Sequence, residues 1–580
     1  MSNRARLVQN ICGGVSKSAI AKIGLGYSLN CYPEVQNSES SCTIAMRTVS
    51  GQAEFCKVDG RCRGLYRVSR GLNNKPALYG VFGSTLYIFY TNGDAVKIAD
   101  LDSNNGEVHM CETGGYGSAW PHLIMVDGTS VYAVNTGLSI GDQAADFKRI
   151  ALPFRVNSKT EKIKPTHCAY LYGYLVVNDA GTDAFYTSYQ YPFEIEDTEP
   201  PEFYEKRRDF IFWWNSLSEE RQSDYKSGSI HDSYWDEYKE FIEGTADDTP
   251  EKNDIFRIYT IQFALYGFVT YSEWSPDNTT ALISNGSKLY TFGDRSWQVF
   301  SYNDDADNPF SSPDNAAGQV GIKAPNSLAG IGRTVIWLGS SDVGENGVFM
   351  LEDTKLTRVS TNDIERELKE MKNPENAYSS IWQEHQHLFY SLTFEDSNKT
   401  FVYDVSEDSW HCRASYDPSS RLMFWRYNHL TFAYGKIFCA AFGALCTLDD
   451  NKFDEHDGRC ILKLRRGAVL TSDAMPFFID ELKLIANQGQ HSFQDQNKLK
   501  WDHFKDFNPR VSFRYSWDGS TFSDYEDAYL GKVGEYYYDT SIFGLGFGTF
   551  FTLEISTTEN IPLAIENVLI SWSPTSMMRY

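Results

Sequence analysis

Glu384, His385 and His387 stand together in the stretch QEHQH. Two imidazoles at alternate positions of a strand share one face, the spacing from which a metal ion is held. No third ligand elsewhere in the sequence completes the set, so an exposed strand-turn cluster is the favoured reading. Asn303–Asp314 (NDDADNPFSSPD) sets oxygen donors at alternate positions, as a calcium loop does. It lacks the glycine at the sixth place and the glutamate at the twelfth, and reads as a polar loop. The most basic short run is KLRRG. Lys463, Arg465 and Arg466 make either a solvated connector or a salt-bridging contact with an acidic neighbouring subunit. The eleven cysteines include no CxxC pair, and five of them precede Gly64. They read as free thiols of a chain folded in a reducing cytoplasm, and the N-terminus lacks the apolar core of a secretory signal. GxSxG, P-loop and HExxH motifs are absent. The residues thus nominate no catalytic group, no cofactor and no metal centre.

The elements around these residues are strands. Aromatics make up 15% of the 580 residues and sit beside Gly, Ser, Thr, Asn and Asp, the company of strands and turns. A turn residue, a few polar residues and an aliphatic–aromatic strand recur, with anchors at Leu86, Val131, Leu175, Leu289, Val335, Leu388 and Ile437. All but one of the intervals are close to the roughly 40–50 residues of a four-stranded propeller blade. The long interval holds a charged, helical stretch. There Phe210, Ile211, Trp214 and Leu217 fall on one helical face, and Tyr234, Trp235, Tyr238, Phe241 and Ile242 on another. STNDIERELKEMKN predicts a further helix from Asn362 with Glu365 in a capping box. After Arg466 the repeat gives way to alternating strands, DELKLIAN, RVSFRYS, GEYYYDT, FFTLEIS and IENVLISW, a small antiparallel sandwich.

The fold class is therefore mainly β: a six- or seven-bladed β-propeller with a helical insertion and a C-terminal antiparallel β-sandwich. The expected organisation is an extended arm at 1–60, propeller at 61–194 and 261–466, the insertion at 195–260 and the sandwich at 467–580. The first and last repeats can complete one shared blade, which leaves six or seven open. A formal charge of −24 opposes a surface that grips nucleic acid. No apolar run approaches the roughly 20 residues of a membrane span.

Ser516–Phe522, SWDGSTF, resembles the Asp-box turn of sialidases. It occurs once, is structural in its usual setting, and comes without the arginine cluster that a sialidase needs. A larger set of motifs, in order, resembles the tail hub, or packaged-DNA stabilisation, family of short-tailed phages. The set comprises SLNCYPEVQNSES, SPDNTTALISNGSKLYTFGDRSWQVFS, GQVGIKAPNSLAGIGRTVIWLG, the run from VSTNDIERELKEM to VSEDSWHCRAS, FRYSWDGSTFSD and YLGKVGEYYYD. The likeness covers residues 28–193 loosely and 273–572 well. The insertion, the cysteine-rich arm and LGFGTF depart from it.

The resemblance implies a non-enzymatic virion protein, made in the host cytoplasm and built into the tail. It implies a ring, of six subunits by the family's pattern, below the portal and the head-to-tail adaptor, with a needle, spikes or fibres at its far end. Such a ring closes the DNA channel, retains packaged genome and conducts it at ejection, without sequence-specific binding and without stable membrane insertion. Two other classes stand beside it. A sialidase-like propeller glycosidase predicts an arginine-and-carboxylate pocket, and a cellular propeller interaction module predicts a monomer that binds peptides at its mouth. The aromatic stripes of the insertion need a partner surface, so Phe210, Trp214, Trp235, Tyr238 and Phe241 are candidate assembly contacts. Deleting Asp197–Asp254 is expected to leave a folded monomer that attaches weakly to its ring or fibre; unchanged assembly of the deletion, seen by sedimentation, would refute this.

Overall fold

A computed structural model describes residues 5–9, 16–17, 25–35, 44–114, 121–150, 152, 155, 161–188, 217–227, 229, 235, 268–271, 277–305, 309–313, 316–341, 346–472, 475–489 and 507–574. The chain divides into two compact units, one of Met1–Leu65, Thr91–Ala95 and Lys323–Tyr580, the other of Tyr66–Tyr90 and Val96–Ile322.

The second unit is a succession of sheets with four-strand paths, the fourth carrying a fifth short strand, Ala317–Gly318. They run Cys62–Val68, Ala77–Phe82, Thr85–Phe89, Ala95–Asp100; then His109–Glu112, His122–Val126, Val131–Asn135, Lys148–Ile150; then Cys168–Leu171, Tyr174–Asn178, Ala184–Thr187, Phe268–Tyr271; then Ala281–Asn285, Lys288–Phe292, Trp297–Tyr302, Phe310–Ser311. Side chains alternate across a strand, so an apolar run feeds two cores at once. In the second sheet Leu123, Met125, Tyr132 and Val134 pack against Tyr79, Val81, Leu86 and Ile88 of the first. Their neighbours Ile124, Val126, Val131 and Ala133 pack against Leu175, Val177 and Tyr186 of the third. Phe185 in turn meets Phe300 of the fourth edge-on at 5.0 Å. Burying each such side chain contributes about 1.5–3 kcal/mol, and the sheet faces stack as propeller blades do.

Polar side chains fix the turns. The Asp277 carboxylate accepts the backbone N–H of Asp294 (3.0 Å), Arg295 (2.7 Å) and Ser296 (2.8 Å), which ties SPDN to the GDRS turn seventeen to nineteen residues on. Gly321 is required there, because a Cβ would lie 2.1 Å from the Asp294 carbonyl. Asn178 accepts from the Thr166 and His167 amides and donates to the Thr279 and Thr280 carbonyls, stitching the third sheet to the fourth.

Three more four-strand paths of blade type lie in the first unit, and the second of them continues through Leu25–Leu29 into one sheet of the sandwich. The paths are Ala329–Ile331, Thr334–Ser341, Asn346–Glu352, Lys355–Arg358; then Tyr378–Glu384, His387–Phe394, Lys399–Asp404, Ser409–Tyr416; then Asn428–Ala433, Lys436–Ala441, Ala444–Asp449 and, last, Gly51–Lys57. Seven sheets of blade type are therefore present among the described residues, and one is completed by a strand from near the N-terminus. Each of the seven sequence anchors lies on an interior strand of a different sheet, which is why each reads as a short apolar run. The helix Asn362–Lys369 forms, but Thr361 is its cap, accepting the Ile364 amide at 3.4 Å. Glu365, expected in the capping box, binds the Ser360 hydroxyl at 2.6 Å instead.

The sandwich stacks one sheet in the order Cys31–Val35, Ile44–Thr48, Ala564–Pro574, Phe477–Ala486, Ser541–Phe543 on another that includes Leu25–Leu29, Lys463–Arg466, Phe550–Thr557, Arg510–Ser516 and Glu526–Tyr529. Residues of the expected arm thus supply strands to both sandwich sheets and to the seventh blade sheet. GEYYYDT, expected as a strand, is a turn that exposes Tyr536 and Tyr537; the neighbouring strand is Glu526–Tyr529. Of the insertion, Glu219–Ser227 is helical and Trp235 is buried 5.3 Å from Tyr225. Phe210, Trp214, Tyr238 and Phe241 lie outside the described residues.

The arm turns at Asn30, whose φ of 52° is left-handed. Its amide donates to the Cys412 carbonyl (2.8 Å), Nδ2 donates to the Ala414 (3.0 Å) and Leu462 (2.8 Å) carbonyls, and Oδ1 accepts the Ala414 N–H (3.1 Å). Asn30→Gly keeps the backbone free to turn but strands these buried partners, at about 1–3 kcal/mol each. Asn30→Ala adds about 1–2 kcal/mol of left-handed strain. Urea denaturation is expected to rank wild type above Gly above Ala, and an Ala variant as stable as Gly would refute the assignment.

Candidate functional site

A charged cluster of the first unit gathers around the hairpin Tyr378–Glu384/His387–Phe394. Its two-residue loop, His385 and Gln386, has both φ values positive, at 49° and 71°, as the primed hairpin turns demand. The turn puts His385 off the strand, and Glu384 pairs with His387 across it. The two histidines therefore do not share a face, as their spacing suggested, and each joins a different set of partners.

His387 turns inward. Its Nδ1 is 2.6 Å from the buried Asp404 carboxylate, and Tyr32 of the arm packs edge-on against the imidazole at 5.0 Å. Burial pulls the imidazole down, but the hydrogen bond and charge of Asp404 outweigh it and hold its pKa above 6.5. Beside it Arg413 is wholly buried, its guanidinium carbon 4.9 Å from the Trp382 and Trp425 rings and 5.2 Å from Phe389. Desolvating that cation costs several kcal/mol. Three aromatic faces and Glu384, 3.7 Å away, offset part of it. Arg413 Nε donates to His411 Nε2 at 3.4 Å, so the proton of the neutral imidazole resides on Nδ1. Burial, then the Arg413 and His387 charges, hold His411 well below its ordinary pKa.

His385 turns outward, to Asp450 Oδ1 at 2.9 Å and to Arg47 Nη2 at 3.3 Å. Arg47 also pairs with Glu34 at 3.2 Å. The Ser50 hydroxyl lies between Glu384 Oε1 (2.7 Å) and Asp450 Oδ1 (2.9 Å). The hydrogen bond from His385 comes first among the causes that hold Asp450 below the usual carboxylate range. This network ties Glu34, Arg47 and Ser50 of the arm to residues more than 300 positions away. The sequence pointed to Glu384 and His385 but missed Asp450, Asp404, Ser50 and Arg413. His411 and Arg413 did leave a signal: charge-bearing residues at alternate, inward positions of SWHCRAS.

The basic connector serves the interior. Lys463 is buried and donates to the Glu559 (2.7 Å) and Ile561 (3.3 Å) carbonyls, and burial pushes its amine down to about 7. Arg465 is buried in the same strand. Arg466 gives Nε (2.9 Å) and Nη2 (2.6 Å) to Glu554, which Arg514 also binds. A salt bridge to another subunit has little of these three charges left to use. The Phe522 ring of the Asp-box turn lies 4.7 Å from the Arg466 guanidinium and 4.9 Å from that of Arg514. Asp518 of that turn accepts the Ser520 and Thr521 amides at 2.7 Å. These bonds hold its carboxyl far below the usual range. The two arginines beside the turn share the one carboxylate of Glu554.

Residues 224–451 match the family model described as bacteriophage P22 Gp10, beta-propeller. This part of the chain is similar to that phage β-propeller family. The phage propeller region so defined holds the whole hairpin cluster from Trp382 to Asp450, while the arm residues that lock onto it lie outside the match. Three solved structures align over much of the chain. The N-terminal domain of Nup159 does so at 8% identity and a TM-score of 0.32, over 73% of this chain and 98% of that one. The Pan2 WD40 domain of Neurospora crassa gives 7% and 0.34, over 69% and 95%. BBS1N, solved in complex with ARL6DN, gives 10% and 0.34, over 70% and 97%. No curated protein matches the sequence.

The His387–Asp404 pair sets a pH dependence. Because the folded pKa of His387 is raised above 6.5, its contribution is full below 6.5 and is lost as pH climbs through the raised value. His387→Leu, which leaves Asp404 buried without its partner, is expected to cost about 3–5 kcal/mol at acid pH. The difference in Tm from wild type should shrink toward alkaline pH, and a gap that stays constant would refute the charged pair.

Proposed function

We propose that this protein is a structural subunit of the tail hub of a short-tailed phage. In this reading copies of it form a nozzle-like ring, of six subunits, below the portal and head-to-tail adaptor, in the virion tail. The ring closes the DNA channel, retains the packaged genome and conducts it at ejection, and its far end carries a needle, spike or fibre. The observation that carries the reading is the match of residues 224–451 to a phage β-propeller family.

Physical features are consistent with it. Blade-type sheets packed face to face make a stiff body that serves as a building block without an active site. The formal charge of −24 per chain repels phosphates, which suits a conduit past which DNA slides, because tight phosphate contacts would stall it. Among the described residues no helix is long and apolar enough to cross a membrane. The insertion between the last two strands of the third sheet, Ala184–Thr187 and Phe268–Tyr271, is the segment we expect to dock on a neighbouring subunit or fibre.

Negative-stain imaging of the purified protein, alone and mixed with a portal–adaptor complex, tests the proposal. A closed ring, formed on the adaptor or in isolation, is the expected result. A monomer in both samples would overturn it.

A further inference from the structure

We propose that Glu384, His385, Asp450 and Ser50 form a site for one divalent transition-metal ion of the zinc class. Four lone-pair atoms converge there: Glu384 Oε1, His385 Nε2, Asp450 Oδ1 and Ser50 Oγ. Oγ lies 2.7 Å from Oε1 and 2.9 Å from Oδ1, while Nε2 lies 2.9 Å from Oδ1 and 3.9 Å from Oε1. The three ionisable groups place one ligand atom each within 4.8 Å of one another. Ligands about 2.0–2.2 Å from a tetrahedral zinc lie roughly 3.3 Å apart, and the four separations bracket that value.

The hydrogen count argues in the same direction. Ser50 has one proton for two carboxylate oxygens. His385 Nε2 faces an acceptor, Asp450 Oδ1, and a donor, Arg47 Nη2, and no single protonation state serves both. At most two protons serve four lone-pair atoms, and a cation supplies what is missing. A second acceptor deficit lies alongside: Gln52 anchors Nε2 on the Ser50 carbonyl, and its buried Oε1 has no hydrogen-bond partner among the described residues. An imidazole with two carboxylates and a hydroxyl suits zinc or cobalt better than the all-oxygen shells of calcium or magnesium.

Of the cations nearby, only Arg47 contacts a ligand atom, His385 Nε2 at 3.3 Å, among the described residues. Arg413 faces the other oxygen of Glu384, Oε2. Arg47 must give up its Nη2 contact with His385 but keeps Nη1 on Glu34. Asp450, with 58% of its side chain exposed, opens the site to solvent, whereas Glu384 is 3% exposed. The ion would clip three segments of the first unit together: the arm at Ser50, the hairpin turn at 384–385 and the turn that follows the strand Ala444–Asp449.

Cobalt titration of the full-length, chelator-stripped protein tests this. Cys460 is exposed and Cys56 half-buried, and cobalt on a thiolate announces itself by charge-transfer absorption. Cobalt in this site shows ligand-field bands alone. Wild type is expected to develop those bands, to saturate with one ion, and to lose them when zinc is added. Asp450→Asn and His385→Asn, the latter chosen because asparagine accepts a left-handed backbone, should each weaken binding by at least about tenfold. Zinc should raise the Tm of wild type and not of either variant. Absent bands in wild type, bands accompanied by thiolate charge transfer alone, or equal affinity in wild type and both variants would each overturn the site.

Discussion

One left-handed asparagine organises the first unit. On either side of Asn30 the chain sends consecutive side chains into three separate cores: Leu29 into that shared by the fifth and sixth sheets, Cys31 into the sandwich, and Tyr32 into that shared by the sixth and seventh sheets. No extended strand divides its side chains three ways, since alternation offers only two faces. The turn at Asn30 supplies the third direction, and its amide satisfies the backbone groups of strands more than 380 residues away that the turn would otherwise leave bare. Glycine could make the turn and aspartate could accept a bond, but only an amide both donates and accepts at this place.

The charged junction extends the same logic into electrostatics. Buried ion pairs are a poor source of net stability, yet breaking one is costly. His387 with Asp404, Arg413 with Glu384, and Arg47 with Glu34 and His385 each lose their partner if the arm or the hairpin shifts by one position. Tyr32 between two imidazoles and a phenyl ring ties the apolar register to the polar one. A seam built this way has one correct alignment, whereas apolar contacts alone would tolerate several.

Much of the architecture was legible in the sequence because interior blade strands are buried on both faces and leave a local, repeated apolar signature. All seven anchors mark such strands, and the helix from Asn362 and four of the five sandwich strands read correctly for the same reason. GEYYYDT misled because tyrosines that favour strands also populate exposed turns, here entered through left-handed corners at Gly531 and Gly534. The arm was opaque. Strands of it, Ala5–Gln9, Leu25–Leu29, Ile44–Thr48 and Gly51–Lys57, pair with segments hundreds of residues downstream, and no local periodicity encodes that. The cluster at 384–387 was half legible: residue type marked it, but the hairpin turn that separates His385 from His387, and Asp450 which joins it, are properties of the folded chain.

The strand Gly51–Lys57 has a consequence for how the protein is made. Among the described residues it pairs with Ala444–Asp449 alone, so the seventh sheet cannot close until nearly 400 further residues have been synthesised. Contacts of such sequence separation form late. Until then the nascent chain carries an unpaired strand on one side and, afterwards, a sheet with an open edge on the other, and these are surfaces through which chains associate wrongly. The same strand, once home, joins two segments nearly 400 residues apart in one sheet, so the seventh sheet opens if either segment leaves its place.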